Sequence, residues 1–332
     1  MNDYQKYLVE EFLEDYQEGR LSRRDTLKLI GGVTGSLAIA GALLAGCAPA
    51  PRPAATADAP ASTSQPEPTV AATEGANTPV PEATTAATAP AGSVNVPEDD
   101  PEISAGMIEF ASGDATVMAY LARPNTDNPR RAVLVCHENR GLTEHIEDVT
   151  RRLAKAGYVA LAVDLLSRQG GTASIVDDSQ VPGLLGQSPP EQFIADFTAG
   201  WEHLKRQDYV NPDGVGMIGF CFGGGVTWRV ATRLADLRAA VPFYGPVAAV
   251  EDVPGIQAAV LGIYAGNDQR INQGIPPVEE AMQANGKTFE TVIYPGTDHA
   301  FHNDTGARYN ADAARDAWSR TLAWLNEHLG AP

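Results

Sequence analysis

Gly219-Phe220-Cys221-Phe222-Gly223 is the most informative motif in this 332-residue chain. An apolar run, 215–218, precedes it, and a helix-like segment, 224–234, follows it. A sharp turn between a buried strand and a helix can hold a nucleophile in a strained conformation, if small residues on both sides let strand and helix approach closely. The two glycines meet that demand. We therefore expect a nucleophile elbow with Cys221 at its tip.

Cys221 has two interpretations on this motif alone. Cysteine is among the most often buried residue types, so the stretch is also compatible with tight strand-helix packing and no chemistry. If Cys221 is a nucleophile, the N-terminus of the following helix should favour the thiolate and lower the pKa of the thiol. The choice depends on whether partners for a nucleophile occur elsewhere in the chain.

Two such partners follow the ends of predicted strands. The strand 259–265 leads to Asp268, and the strand 289–294 leads to His299. Carboxyl ends of parallel strands meet at one edge of an open sheet, where ligands bind. Taken singly, Asp268 could be an Asx-turn residue and His299 a helix cap or a surface residue. Their occurrence after Cys221, in the order nucleophile, acid, histidine, favours a catalytic triad.

The predicted strand 132–138 ends on a further carboxylate, Glu138. The loop after this strand and the residue after the nucleophile are the usual sources of oxyanion-hole amides. Those amides belong here to Asn139 and Phe222. Glu138 would lie at the same edge of the sheet, where it could take the proton of Cys221 or shift the pKa of the thiol. The alternative is a structural ion pair of Glu138 with Arg140 or Arg168.

Strands and helices alternate through the catalytic region, which predicts an α/β fold with a mostly parallel sheet covered on both faces. Candidate strands are 116–122, 132–138, 159–164, 215–219, 239–244, 259–265 and 289–294. Candidate helices are 144–156, 191–206, 276–285 and 310–329. The connection 170–190 is unusually long and rich in Gly, Ser and Pro. It forms either a cap over the site or a plain surface insertion.

Five blocks carry a family resemblance in their order and spacing. They are His137-Glu138-Asn139-Arg140-Gly141-Leu142, Asp164-Leu165-Leu166-Ser167-Arg168, Gly216-Met217-Ile218-Gly219-Phe220-Cys221-Phe222-Gly223-Gly224, Tyr264-Ala265-Gly266-Asn267-Asp268 and Tyr294-Pro295-Gly296-Thr297-Asp298-His299-Ala300-Phe301. Over about residues 105 to 330 the chain resembles the dienelactone hydrolases (carboxymethylenebutenolidases), a branch of the α/β-hydrolase fold that uses cysteine. The resemblance implies a carboxylic ester hydrolase that opens an enol lactone.

The resemblance also implies roles for single residues. Cys221, His299 and Asp268 would form the triad, Glu138 would activate the thiol once substrate has bound, and Arg168 would help to hold the substrate carboxylate. Cys221 would attack the ester carbonyl, and His299 would then activate water to hydrolyse the thioester.

One position departs from the family pattern. A second arginine lies four residues after the catalytic histidine in the family, whereas this chain has Asn303 there. Asparagine cannot supply the bidentate, charge-assisted clamp of arginine. Arg140 or Arg308 could replace it. Two alternatives to the lactone hydrolase therefore stay open, namely a broad-specificity carboxylesterase and a surface lipoprotein that binds ligand without catalysis.

The segment 1–47 has the layout of an export signal. Ser22-Arg23-Arg24-Asp25-Thr26-Leu27-Lys28 precedes a moderately apolar run, 29–45, as in twin-arginine signals, although Thr26 replaces the usual aromatic residue. Leu44-Ala45-Gly46-Cys47 resembles a bacterial lipobox, with cleavage before Cys47 and lipidation of its thiol. The alternative is an uncleaved anchor, although this run is short for a span. We expect an exported lipoprotein at the outer face of the bacterial cytoplasmic membrane.

Between the signal and the catalytic region lies a stretch, 48–100, of mainly Pro, Ala and Thr with few large apolar residues. Such a composition cannot bury enough surface to fold. We expect a disordered tether with a reach of roughly 40 Å, joined to a catalytic domain at 101–332.

The charge of the chain limits its partners. Its formal net charge is -18, and -16 without residues 1–46, which contain seven acidic and five basic residues. Strong acidity disfavours nucleic acid and anionic membrane surfaces, so the expected partners are a small lactone or ester and, through Cys47, the membrane.

Cysteine and histidine usage points away from disulfides and metals. With Cys47 lipidated and Cys221 catalytic, Cys136 is left as a lone strand residue, so no disulfide framework is expected. His137 and Glu138 are adjacent on a strand end and should point to opposite faces, which does not suit zinc. His299 and His302, three residues apart, do not match a zinc pattern either. We expect neither a metal nor a cofactor.

Overall fold

A computed structural model of the chain describes residues 1–46 and 95–332. Cys47 and most of the predicted tether lie outside the described residues. The strands are β1 (Ile103–Ser112), β2 (Ala115–Pro124), β3 (Arg130–Cys136), β4 (Val159–Val163), β5 (Val210–Phe220), β6 (Leu237–Phe243), β7 (Ala259–Ala265) and β8 (Phe289–Tyr294). The α-helices are α1 (Asp3–Gln17), α2 (Arg23–Thr34), α3 (Leu37–Ala45), α4 (Glu144–Lys155), α5 (Val181–Gln187), α6 (Pro190–Leu204), α7 (Phe222–Ala231), α8 (Gln269–Asn272), α9 (Ile275–Ala284) and α10 (Ala311–Leu329).

The eight strands form one sheet in the order β1-β2-β4-β3-β5-β6-β7-β8. β2 is antiparallel to both of its neighbours, and every other neighbouring pair is parallel. All residues of β4 and β7 are buried. Because successive side chains of a strand point to opposite faces, this burial means that both faces of the sheet are covered there. The predicted α/β fold with a mostly parallel sheet is confirmed.

Sequence patterns located the parallel strands β7 and β8 better than the antiparallel edge strand β1. β7 and β8 have the predicted bounds, whereas β1 was not predicted. β1 is an edge strand whose burial alternates irregularly, with polar and small residues on a partly exposed face. Its hydrophobic pattern is therefore weak, and its place in the sheet comes from ten paired residues of β2.

The amino-terminal segment is folded against the catalytic domain as three helices. The apolar run predicted at 29–45 is divided between α2 and α3 by Gly35, which has φ +68°, and by Ser36, whose side chain caps α3. In the described parts of the chain, 1–46 and 95–332, no helix is both long enough and apolar enough to cross a membrane. We refer to α1, α2 and α3 together as the cap.

The connection 170–190 supports this cap. It contains short 3₁₀ turns and α5, which contacts both α1 and α2. Gly183 and Gly32 approach so closely that a Cβ on Gly183 would lie 2.9 Å from the Gly32 backbone. Gln187 Nε2 also donates a hydrogen bond to the Gly32 carbonyl over 2.8 Å. The connection therefore helps to cover the site. This agrees with the first predicted alternative, a cover over the site, and not with a plain surface insertion.

The ordered catalytic domain begins before the predicted boundary at residue 101. Val96 is buried, and its amide donates to Asp148 Oδ1 over 2.7 Å. The Val96 carbonyl accepts a 2.6 Å hydrogen bond from Arg151 Nε. Since both partners lie on α4, the chain from Asn95 onward is attached to the domain, and the predicted end of the tether is several residues too late.

Candidate active site

Cys221 lies at the turn between β5 and α7 with φ +57° and ψ -120°. Positive φ is unfavourable for a residue with a side chain, so this turn stores strain at the thiol. A Cβ on Gly219 would lie 2.2 Å from the Gly223 carbonyl oxygen, and a Cβ on Gly223 would lie 2.5 Å from the His137 carbonyl oxygen. Both flanking glycines are therefore required, and the elbow expected from the sequence is present.

Asp268 and His299 come to the same edge of the sheet from β7 and β8. His299 Nδ1 and Asp268 Oδ2 are 2.6 Å apart, and both side chains are buried. The other oxygen of Asp268 accepts the amide of Ile271 over 3.3 Å, which fixes the carboxylate at the start of α8. The Cys221 sulfur and a ring nitrogen of His299 lie within 4.8 Å of each other. The structure thus brings the three predicted triad residues together.

The hydrogen bond between His299 and Asp268 changes the protonation of both groups. Burial alone would lower the pKa of His299, but Cys221 and the Asp268 hydrogen bond outweigh it and raise this pKa to about 10. Burial likewise opposes ionisation of Asp268, yet the hydrogen bond from His299 holds the pKa of that carboxyl below its usual range. The hydrogen bond between them thus favours the protonated form of the imidazole and the ionised form of the carboxylate.

Cys221 does not have the low pKa that the sequence predicted from the helix N-terminus. Burial, and then the negative charge of Glu11, raise the pKa of its thiol, and the neighbouring His299 only partly compensates. Only 3% of Cys221 is exposed. Desolvation therefore outweighs the helix dipole, and the resting nucleophile is a thiol.

The two predicted oxyanion-hole residues flank the elbow. Phe222 is the first residue of α7, where backbone amides have no partner within the helix. Asn139 follows Glu138 beyond the end of β3 and lines the cavity in front of Cys221. Its side-chain Nδ2 donates to Glu11 Oε1 over 3.1 Å. The oxyanion role of both amides stays a prediction.

Glu138 and Asn303 interact with each other. Asn303 Nδ2 donates to Glu138 Oε2 over 2.7 Å. Within the described residues, no ion pair joins Glu138 to Arg140 or Arg168, so that alternative is not supported. Asn303 is thereby engaged by a carboxylate of the protein itself, although its side chain borders the cavity.

Arg168 is not placed to bind a substrate carboxylate. Its guanidinium makes two hydrogen bonds to the buried Asp196, of 2.6 and 3.0 Å. Among the described residues that border the cavity, Arg140 and Arg308 are present and Arg168 is not. The substrate-binding role expected for Arg168 is therefore not supported, because Asp196 already binds two nitrogens of its guanidinium group.

A cavity of about 930 Å³ opens in front of Cys221, between the cap and the catalytic domain. Phe12, Leu21 and Leu29 form its apolar side. Its acidic residues are Glu11, Asp15, Asp25, Glu138, Glu144 and Asp178, and its basic residues are Arg20, Lys28, Arg140 and Arg308. Six carboxylates against four cations leave the lining with excess negative charge.

Three residues near Cys221 were missed from the sequence: Tyr7, Glu11 and Tyr244. Tyr7 Oη lies 3.2 Å from Cys221 Sγ, and the Tyr244 ring centroid lies 5.1 Å from that of His299. Tyr244 has φ +37°, a strained backbone that sequence does not reveal. A signal did exist for α1, since Asn2 and Gln5 form a capping box and buried residues recur with helical spacing.

Glu11, Cys221 and His299 also form a possible metal-binding group. Their ligand atoms all lie within 4.8 Å of one another, and all three residues are buried. Thiolate, imidazole and carboxylate together suit a cation such as Zn²⁺. Glu11 was not among the candidates from the sequence, and the expectation of a metal-free enzyme stays a prediction.

The comparisons with known proteins agree with this architecture. Residues 117–329 match the model of the dienelactone hydrolase family. Proteins named "Putative carboxymethylenebutenolidase" from Methylorubrum extorquens and Escherichia coli K12 are each 34% identical, over 72% and 73% of this chain and 86% and 94% of their own lengths. A crystal structure of a "Putative Dienelactone Hydrolase" from Klebsiella pneumoniae has a TM-score of 0.64 at 34% identity, and covers 68% of this chain and 99% of its own.

α1, α2 and α3 lie outside the residues that the family model matches. The cap is therefore an addition to the matched domain. The elbow, the hydrogen-bonded pair of His299 and Asp268, and the matched residues lead to one conclusion: this chain belongs to the dienelactone hydrolase family, a group of α/β-fold hydrolases that act on ester or lactone bonds.

Proposed function

We propose that the enzyme hydrolyses an activated ester or an enol lactone through a thioester on Cys221. The observation that carries this proposal is the 2.6 Å contact of His299 with Asp268 beside a strained cysteine elbow. Glu138 takes the proton of the Cys221 thiol once substrate has bound and returns it when the thioester is hydrolysed. The thiolate attacks the ester carbonyl, and the amides of Phe222 and Asn139 stabilise the oxyanion. His299 protonates the departing alcohol and then takes a proton from the water that hydrolyses the thioester.

Asp268 acts through His299 in this scheme. Its hydrogen bond to Nδ1 fixes the imidazole orientation, so that Nε2 is the nitrogen turned to the reacting groups. The raised pKa of His299, about 10, supports a role as proton donor to the leaving group at neutral pH. Loss of a single oxyanion donor costs about 3 to 4 kcal/mol in hydrolases, so the backbone at Asn139 should matter as much as the side chains.

A broad carboxylesterase with neutral substrates is the second candidate, and the cavity favours it. Arg168 is bound to Asp196, Asn303 is bound to Glu138, and Arg308 Nη1 lies 3.6 Å from Asp15. Among the described residues of the cavity, the exposed Arg140 and Lys28 make no ion pair. A substrate carboxylate would meet these two cations but also six carboxylates of the lining, whereas an uncharged ester meets no such repulsion.

Steady-state hydrolysis separates these candidates. The full chain should be assayed with a dienelactone and with an uncharged short-chain aryl ester, and Cys221→Ala provides the control. We expect Cys221-dependent hydrolysis with a preference for the neutral ester. Preference for the dienelactone would identify the lactone hydrolase. Absence of Cys221-dependent turnover of both would contradict the proposal and support a non-catalytic binding protein.

Export and lipidation at Cys47 form a separate proposal, supported by the Arg23-Arg24 pair and the lipobox-like 44–47. Cleavage before Cys47 would cut the covalent link between the cap and the catalytic domain. Intact mass of the protein from membranes tests this directly. A lipid-modified amino terminus at Cys47 supports the proposal, and a soluble chain that starts at residue 1 or 2 contradicts it.

A further inference from the structure

α1 presents two polar side chains to the nucleophile. Tyr7 and Glu11 are four residues apart, so they lie one turn apart on the same face of the helix. Both are buried, with exposed fractions of 4% and 5%. A buried carboxylate needs hydrogen bonds or a charged partner, so the groups that contact Glu11 indicate its role.

Glu11 makes its contacts with the reacting groups of the proposed site. The Cys221 sulfur is 3.7 Å from Oε1 and 3.9 Å from Oε2 of Glu11, a distance suited to a hydrogen bond from the thiol. His299 Nε2 lies 3.9 Å from Glu11 Oε1, and Asn139 Nδ2 donates to the same oxygen over 3.1 Å. The carboxylate thus stands where the acyl part of a substrate must approach Cys221.

Charges nearby offset this carboxylate only in part, because its contact with His299 Nε2 is long, at 3.9 Å. The group around Cys221 contains the carboxylates of Glu11, Glu14, Glu138 and Asp268, against the cations Arg270 and His299. Each of these cations is already paired: Arg270 Nε lies 3.1 Å from Glu14 Oε2, and His299 is hydrogen-bonded to Asp268. A negative group entering the acyl site therefore meets a fixed negative charge in a region shielded from water, where repulsion is stronger than in bulk solvent.

The cap is held firmly enough to keep Glu11 there. The Tyr4 ring centroid lies 4.8 Å from that of Phe222, the residue next to the nucleophile. At the start of α1, Asn2 Nδ2 donates to the Gly186 carbonyl over 3.0 Å. With the Arg270 ion pair near its end, α1 is attached along its whole length.

We propose that Glu11 is a specificity-determining residue, donated by the cap, that excludes anionic acyl groups from Cys221 and restricts the enzyme to uncharged esters and lactones. This inference rests on the proposed function of Cys221 as nucleophile. It applies to the chain that retains the cap, since the residue that selects substrate lies in α1, on the amino-terminal side of the proposed cleavage before Cys47.

Alkylation of Cys221 tests the proposal without reference to any ester. Iodoacetamide and iodoacetate have nearly the same shape and differ in charge, so their rate ratio at the Cys221 peptide, read by mass spectrometry, reports anion exclusion. We expect Glu11→Gln to lower the iodoacetamide preference by about tenfold, with Glu10→Gln, a change at the exposed neighbour, leaving it unaltered. Glu11→Asp, which keeps the charge, should retain most of the preference.

An equal rate ratio in the parent protein and Glu11→Gln would overturn the proposal. If Glu11→Gln does not fold, as judged by its thermal transition, the pair Glu11→Asp and Glu11→Asn repeats the comparison of charge at a shorter length. Failure of the proposed function has a different signature: no Cys221-dependent ester turnover, with the charge effect on alkylation intact.

Discussion

The catalytic sheet and the amino-terminal cap reach the same sulfur atom by different routes. Asp268 and His299 are carried to Cys221 by the ends of neighbouring parallel strands, whereas Glu11 arrives on α1 from more than 200 residues away in sequence. The sheet positions its residues through backbone pairing that strand patterns reveal. The cap positions its residue through side-chain packing, so a site built on a common fold can be modified by a segment outside the family match.

The largest effect on activity should come from a change at Asp268, which the catalytic sheet positions. Asp268→Asn keeps the shape of the side chain but removes the charge that orients and stabilises the His299 imidazolium. We expect kcat to fall on the order of 10⁴-fold, by analogy with triad carboxylates in general. Asp298→Asn, a change of an exposed aspartate one residue before His299, is the matched control and should retain activity. Similar losses in both variants would remove Asp268 from the triad.

The elbow should tolerate an added side chain less well than other parts of the backbone. A Cβ on Gly219 would meet the Gly223 carbonyl oxygen at 2.2 Å and Thr227 Oγ1 at 2.3 Å. We expect Gly219→Ala to lower the free energy of unfolding by about 3 kcal/mol or more. Gly106→Ala in β1 has open space around it and should be neutral or slightly stabilising. Denaturant titrations of both variants measure the difference, and equal stability would show that the elbow can relax.

Docking of the cap should depend on Tyr4. This residue is 3% exposed, and its ring contacts Phe193 and Phe222. Tyr4→Ala should weaken docking by about 3 kcal/mol, the cost of truncating a buried aromatic side chain. Limited proteolysis should then cut α1 roughly 100-fold faster. Leu37→Ala, at a 70% exposed position of α3, is the control. Unchanged proteolysis of Tyr4→Ala would mean that other contacts hold the cap.

The sheet side could be predicted because its signals are local and regular. β7 and β8 end three and five residues before Asp268 and His299, and the Gly-x-Cys-x-Gly stretch limits the elbow to one kind of turn. These patterns follow from burial and steric exclusion, which act on neighbouring residues. The family resemblance then supplied roles that spacing alone left open.

The packing of the cap could not be predicted from local patterns. The pair of arginines and the apolar run 29–45 are typical of export signals, and the helical spacing of Tyr4, Leu8 and Phe12 indicates a buried face without indicating its partner. α1 packs against residues of the catalytic domain that are far away in sequence, and no local sequence feature predicts this contact. Arg168 illustrates the same limit, since its pairing with Asp196 depends on tertiary structure.

The smallest effect concerns pH and His302, a buried histidine of the catalytic domain. Burial lowers the pKa of His302 to about 3, and its ring stacks on Phe220 at 5.2 Å. Its folded pKa lies below the ordinary value of 6.5, so the unfolded chain binds more protons in this window. Its contribution to stability is complete above about pH 6.5 and is lost as the pH falls toward 3.

Thermal or denaturant unfolding between pH 6.5 and 5 should therefore show a loss of about 1 to 2 kcal/mol from His302. His302→Gln should flatten this slope, while the remainder reflects His137, whose pKa burial also lowers. A slope unaffected by His302→Gln would show that the buried imidazole is not the group that titrates.

The measurement that tests the account most directly is identification of the acyl-enzyme. The full chain is mixed with an activated neutral ester, quenched in acid within milliseconds to seconds, digested and analysed by peptide mass spectrometry. We expect an acyl group on the Cys221 peptide that forms and decays at the rate of turnover. Turnover without an adduct on Cys221, or an adduct on another residue, would contradict it.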